Sequence, residues 1–128
     1  IRFMKYVNES CFSTASFDMR IKLWKILDGN LLQTVMINSL SFENIEILDD
    51  GRLVSGDING KLRIHNLDSS ISTQIGSYSN WISFIKQIND IILAVGDYGG
   101  NICVWNLQTN ELIRCMSQQH GSSIYNIE

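Results

Sequence analysis

The sequence predicts an all-β fold made of repeated four-stranded antiparallel meanders. Three observations carry this reading. Trp24, His65 and Trp105 recur at spacings of 41 and 40 residues. Apolar and polar residues alternate inside each period, as in Ile21, Leu23 and again Leu62, Ile64, which places one set on a single strand face. Turn signals separate the alternating stretches, and proline is absent from all 128 residues, which suits paired strands that need their N–H donors.

The repeat is visible column by column. Segments 11–24, 52–65 and 92–105 align without gaps. Ala15, Gly56 and Gly96 fall in register, as do Ile21, Leu62 and Ile102, then Leu23, Ile64 and Val104, then Ile26, Leu67 and Leu107. The turn signals are Asp28-Gly29, Asp50-Gly51, Asn59-Gly60 and Gly99-Gly100, where glycine supplies the positive φ of a tight hairpin. In the second repeat this predicts strands at 42–48, 52–57, 61–66 and 72–77. No segment sustains a capped helical period. Four strands in about 40 residues is the signature of a β-propeller blade, whereas kelch blades run nearer 50. Blades are predicted at 1–36, 37–77 and 78–117, with 118–128 opening a fourth.

Composition bounds the function. The net charge is −3, with 45% hydrophobic and 18% charged residues, enough for one domain with a core. Without a basic patch, nucleic acid is not an expected partner. The longest apolar run, 91–95, falls far short of the roughly 20 residues that span a bilayer. Residues 1–4 carry neither an initiator Met nor a signal-peptide layout, which reads as a piece of a longer chain. Cysteines are three: Cys11, Cys103 and Cys115. An odd, sparse set is no disulfide framework, so a reduced, cytoplasmic chain is expected. Asn8-Glu9-Ser10 matches a glycosylation sequon, a short motif of low specificity. Cys103 and Cys115 fall on neighbouring strands around a turn near Thr109; free thiols are the expectation, a cross-strand disulfide the alternative.

At 53–66 and 94–106 the chain resembles the second and third strands of the WD-repeat family, and the likeness extends over essentially its whole length. The resemblance implies a buried hydrogen-bonded set in each blade: Trp in the third strand, Ser or Thr in the second, Asp in the turn between them, and His before the first. By position the first blade offers Thr14, Asp18 and Trp24. The second offers Ser55, Asn59 and His65, with Asn38 near the His place. The third has Val95, Gly99 and Trp105, with Tyr78 at the His place. His120 opens the fourth. The family's Trp-Asp pair appears as Trp24-Lys25, His65-Asn66 and Trp105-Asn106. A third blade lacking hydroxyl and carboxylate is expected to rely on apolar packing. Trp24→Ala and Trp105→Ala are each expected to cost roughly 3–5 kcal/mol.

No constellation of catalytic residues is legible. His65 and His120 are the only histidines, and no Cys/His spacing suits zinc; neither metal nor cofactor is expected. Asp49, Asp50, Asp57, Asp90 and Asp97 read as solvated turn residues. Gly99-Gly100 lacks the following Lys of a phosphate loop. Nothing assembles nucleophile, base and oxyanion donor, so the chain is not read as an enzyme.

Large apolar residues at loop positions read instead as partner contacts: Phe17, Ile58 and Tyr98 in the turns, and Trp81 and Tyr125 at first-strand entries. The resemblance implies that these face one end of the propeller. The expected function is a non-enzymatic scaffold binding proteins or peptides through its loops and rim. A permanent structural subunit of a large assembly (coat, ciliary or ribosome-associated) is the alternative; an enzyme with its active site in blades outside this sequence ranks below it. Three blades do not close a ring; further blades in cis, or self-association, would complete it.

Overall fold

Alternation and turn chemistry produce twelve strands and, among the described residues, no helix. The structure, a computed structural model, describes residues 3–16, 18–36 and 42–117. The first sheet holds β1 (Phe3–Asn8), β2 (Cys11–Ser16), β3 (Arg20–Lys25) and β4 (Leu31–Met36). The second holds β5 (Phe42–Ile47), β6 (Leu53–Asp57), β7 (Lys61–Asn66) and β8 (Ile71–Ser77). The third holds β9 (Ile82–Gln87), β10 (Ile92–Asp97), β11 (Ile102–Asn106) and β12 (Glu111–Met116). Each sheet is an antiparallel meander in chain order, the form of a propeller blade. The strands predicted for the second repeat agree with those found to within one residue at each end.

The turn glycines behave as their sequence context dictates. Gly29, Gly51, Gly60 and Gly100 all have positive φ, between 68° and 86°. The first blade departs from the pattern: Met19, in the column of Gly60 and Gly100, takes φ 61°. A Cβ in this region crowds the backbone.

Directly paired residues share a sheet face. In the third blade Leu93 pairs with Trp105 and Val95 with Cys103, and this face meets the second blade. Val54, Leu62 and Ile64 of the second blade join Ile82, Ile85, Leu93, Val95 and Trp105 of the third in the larger apolar cluster. A smaller cluster joins Ala15, Ile21 and Val35 of the first blade to Ile45 and Leu53 of the second. Fully burying a residue such as Leu62 or Leu93 contributes about 1.5–3 kcal/mol each, so stacking blade on blade supplies the stability that no single meander can.

The innermost strands lie side by side, β1 next to β5 and β5 next to β9. Glu46 on β5 links them. Its carboxylate pairs with the Lys5 ammonium on β1 and accepts a hydrogen bond from the Gln87 N–H on β9 at 3.3 Å. Burial, reinforced by nearby Lys86, holds the Lys5 pKa below the usual lysine range.

One expectation fails here. Cys103 and Cys115 are joined in a disulfide, not held as free thiols. They are direct partners across β11 and β12, with Cα atoms 4.0 Å apart. That register sets the two sulfurs against each other, and cysteine count carries no information about it. Cys11 is free.

Candidate interaction surface

The site begins with the carboxylates that shape the turns. Asp57 and Asp97 end the second strands of the second and third blades, one residue beyond Gly56 and Gly96. Both were expected to be solvated; they are 2% and 0% exposed. Asp57 Oδ1 accepts from the N–H groups of Asn59 (2.9 Å) and Lys61 (2.8 Å), while Oδ2 meets the Arg63 guanidinium at 3.0 Å. Asp97 Oδ1 accepts from the N–H groups of Gly99 and Asn101, both at 2.9 Å, and Oδ2 from the Asn101 amide at 2.8 Å. A buried carboxylate needs this many donors to offset its desolvation. The residues expected in this role, Asp18 and Asn59, are exposed instead. The first blade has Ser16 in the Asp57 column, and its turn relies on Asp18 Oδ1 accepting from the Arg20 N–H at 3.2 Å.

A second set anchors the third strands, once in each blade. The Trp24 indole N–H donates to Thr14 Oγ1 at 2.8 Å. Ser55 Oγ and His65 Nε2 lie 2.7 Å apart. The Trp105 indole N–H donates to the Tyr78 hydroxyl at 2.7 Å. The third blade therefore does not rely on apolar packing alone. Val95 offers no hydroxyl, and Tyr78 supplies one from the segment before β9. Burial raises the Tyr78 pKa far above the ordinary phenol range, so the group is a neutral O–H. His65 is 1% exposed; burial, with a smaller push from Arg63, lowers its pKa to about 4. Its Nδ1 has no partner among the described residues. Trp105 is buried, but Trp24 is only half-buried.

These anchors fix the loops above them. The Tyr78 N–H donates to the Gly60 carbonyl at 2.8 Å, and a side chain at Gly60 would press to within 2.8 Å of the Asn80 carbonyl. Segment 78–80 thus rests on the turn that carries Ile58. The Tyr98 N–H then donates to the Trp81 carbonyl at 2.9 Å. The two rings meet edge to face, centroids 5.7 Å apart and planes at 77°, a favoured aromatic geometry. Trp81 is 51% exposed and Tyr98 36%; Ile58 is half-buried. The structure thus brings Trp81 and Tyr98 together and places Ile58 on the adjoining turn. Phe17, Asn38, His120 and Tyr125 lie outside the described residues. Sequence reasoning missed Asp57 and Asp97. The available signal was the pattern Gly-Asp-x-x-Gly, present at 56–60 and 96–100 and absent from the first blade.

A cavity of about 220 Å³ opens between the first and second blades, lined by Ile21, Leu23, Val35, Leu53 and Leu67 with Arg52 at its edge. Arg52 is occupied there, bound to Asp50 at 2.8 Å and to the Leu107 carbonyl at 2.9 Å. Among the described residues no group of three or more His, Cys, Asp or Glu side chains is placed to hold a metal ion.

No protein-family model matches the sequence, and no curated protein matches it. Solved structures do match in shape. The chain resembles the computationally designed protein Ika4, at TM-score 0.79 and 21% identity over 94% of this chain and 73% of that one. It also resembles U3-55K, at TM-score 0.82 and 19% identity over 93% of this chain and 39% of that one. A third likeness is to the designed protein Ika8, at TM-score 0.80 and 21% identity, over 94% and 37%. The chain thus spans well under half of U3-55K and of Ika8. At these identities the likeness shows the fold alone.

Proposed function

We propose that this chain is part of a WD-repeat-type scaffold that binds protein or peptide partners without catalysing a reaction. The observation that carries the reading is the Trp81–Tyr98 pair. Two large rings stand exposed at one end of the blades, locked edge to face on a backbone hydrogen bond between their own residues. Such a pair contributes contact area with little further ordering cost on binding. The Asp57 and Asp97 carboxylates hold the neighbouring turns, so the surface is preorganised. The net charge of −3 favours a protein or peptide over a phosphate backbone.

The test compares the protein with a Trp81→Ala, Tyr98→Ala variant, using Leu27→Ala as control, since Leu27 is 90% exposed in the β3–β4 turn at the other end of the blades. A partner captured by the parent should bind the double variant at least about 2 kcal/mol more weakly, the loss typical of a hot spot. Melting temperature should stay level and the control should bind as the parent does. Equal binding by the double variant refutes the surface; a collapse in melting temperature returns the rings to a structural role.

A further inference from the structure

Blade meets blade twice in this chain, and the two junctions differ. Residues 41 apart take the same place in each: Val7 and Leu48, Ser13 and Val54, Leu23 and Ile64. Between the second and third blades, Leu48, Val54 and Ile64 are 5% exposed or less and share one cluster with Leu107. There Trp105 lies on Gly76, where a methyl group would sit 2.7 Å from Cζ2 and Cη2 of the indole. Between the first and second blades, Val7 and Leu23 stay half-buried, as does Leu67, the counterpart of Leu107. The outer strand of the second blade adds Ile75 to its cluster, whereas that of the first sets Gln33 opposite Leu23. The smaller Val7 and Ser13 and the polar Gln33 leave a cavity of about 220 Å³ where the other junction is filled.

Hydrogen bonds hold this cavity open. The Gln33 side-chain amide donates to the Leu67 carbonyl, from blade to blade. Arg52 is drawn aside by Asp50 and by the Leu107 carbonyl at 2.9 Å. The hydroxyl in the wall, Ser13 Oγ, donates to the Lys5 carbonyl at 3.4 Å. Much of the remaining wall is apolar, with Ile21, Leu23, Ile47, Leu53 and Leu67, and such a space favours an apolar occupant. An apolar cavity of about 150 Å³ admits benzene, and pockets for drug-sized ligands run from about 300 Å³. This one therefore fits a single ring or one branched aliphatic chain, the size of an anchor side chain.

The exposed lining residues are Asp50, Gly51, Asn66 and Asp68. They belong to hairpin turns at the end of the blades away from Trp81 and Tyr98, and the cavity opens there. Neighbouring turns at that end add Glu9, Asp28, Asp49 and Asp90, all exposed. Lys25 and Arg52 are bound to Asp28 and Asp50, so the mouth stands in a surplus of negative charge. We propose that this cavity docks one aliphatic or aromatic side chain of a partner peptide segment whose flanking residues are lysine or arginine.

A random peptide library displayed on phage and selected on the whole chain tests this. The selected set should include peptides with an apolar residue beside Lys or Arg. Val7→Leu with Ser13→Val installs the side chains of the filled junction. It should weaken these peptides at least about tenfold, the effect of denying burial to one apolar side chain, with melting temperature level or raised. Asp68→Lys tests the same site at an exposed position, without touching the packing. It should weaken them about threefold or more and lessen their salt dependence. The Trp81→Ala, Tyr98→Ala variant should bind them as the parent does, which separates this site from the aromatic surface. A selection that yields no peptide sensitive to Val7→Leu, Ser13→Val overturns the proposal, as does indifference of those peptides to Asp68→Lys. Free toluene, followed by the methyl resonances of Ile21, Leu23 and Leu53, covers the remaining case. Toluene bound in the cavity while no basic peptide is selected makes it a small-molecule site and overturns the partner.

Discussion

The hydroxyl of Tyr78 stands 2.7 Å from the indole nitrogen of Trp105, a bond that ties the start of the third blade to its own third strand. Tyr78→Phe keeps the ring and removes the acceptor, leaving a buried N–H unpaired. The expected loss is about 1–3 kcal/mol, read from denaturant midpoints. Adding Trp105→Phe removes the orphan donor as well, so the double variant should lose less than the sum of the two single changes. Strict additivity would show that the bond carries no energy.

Trp105→Ala and Trp24→Ala no longer stand level. Trp105 is buried between two blades, and its deletion should cost roughly 3–5 kcal/mol. Trp24 is half-buried on an uncovered face, so its deletion should cost at most about half as much, by the same area argument. Equal shifts in melting temperature would mean that the face is covered in solution.

Asp97 is fully buried and gathers three donors. Asp97→Ala leaves those donors unsatisfied, and Asp57→Ala also strands the Arg63 guanidinium. Each should cost about 3–5 kcal/mol, the range for breaking a buried charged contact. Asp49→Ala, at an exposed position, should cost under about 0.5 kcal/mol. Small losses at Asp57 and Asp97 would place these carboxylates back in solvent.

His65 gives the fold a pH dependence of definite sign. Its pKa is about 4 when folded, against about 6.5 for a free histidine. Between those values the unfolded chain binds the extra proton, so stability rises with pH through the window. The contribution is complete above pH 6.5 and lost as pH falls toward 4, on the order of 3 kcal/mol in all. His65→Phe should flatten the slope of unfolding free energy between pH 4 and 6.5 relative to the parent. Parallel slopes would place the titration elsewhere.

Met19→Gly should stabilise the protein. Met19 holds φ 61° in a column where the other two blades use glycine. Relieving that conformation gains about 1–2 kcal/mol, offset in part by the larger entropy of glycine in the unfolded chain. A net rise of about 0.5–1 kcal/mol is expected from thermal melts. A fall would mean that the Met19 side chain makes contacts outweighing the strain.

The sequence was informative where period and turn chemistry act locally. The columns from Ala15 to Leu107 placed the strands, and Asp50-Gly51, Asn59-Gly60 and Gly99-Gly100 placed the hairpins. Trp81 and Tyr98 were both legible as contact candidates, but their meeting edge to face depends on the hydrogen bond between their backbones. Asp57 and Asp97 were misread because an aspartate beside a glycine looks the same whether water or backbone N–H groups surround it. Tyr78 was located, yet its role required knowing that Val95 leaves Trp105 without a hydroxyl. The Cys103–Cys115 pairing depended on strand register, which a bulge between Val104 and Trp105 resets.

The seating of Trp105 on Gly76 has a consequence for how such a chain can evolve. Its repeats look alike in outline, yet they are not interchangeable parts. Moving the third repeat behind the first would set its indole over Val35, where the outer strand of the second blade offers Gly76. Duplication or shuffling of whole repeats would therefore need a matching change on the neighbour, so the order of the units is recorded at their junctions and resists rearrangement.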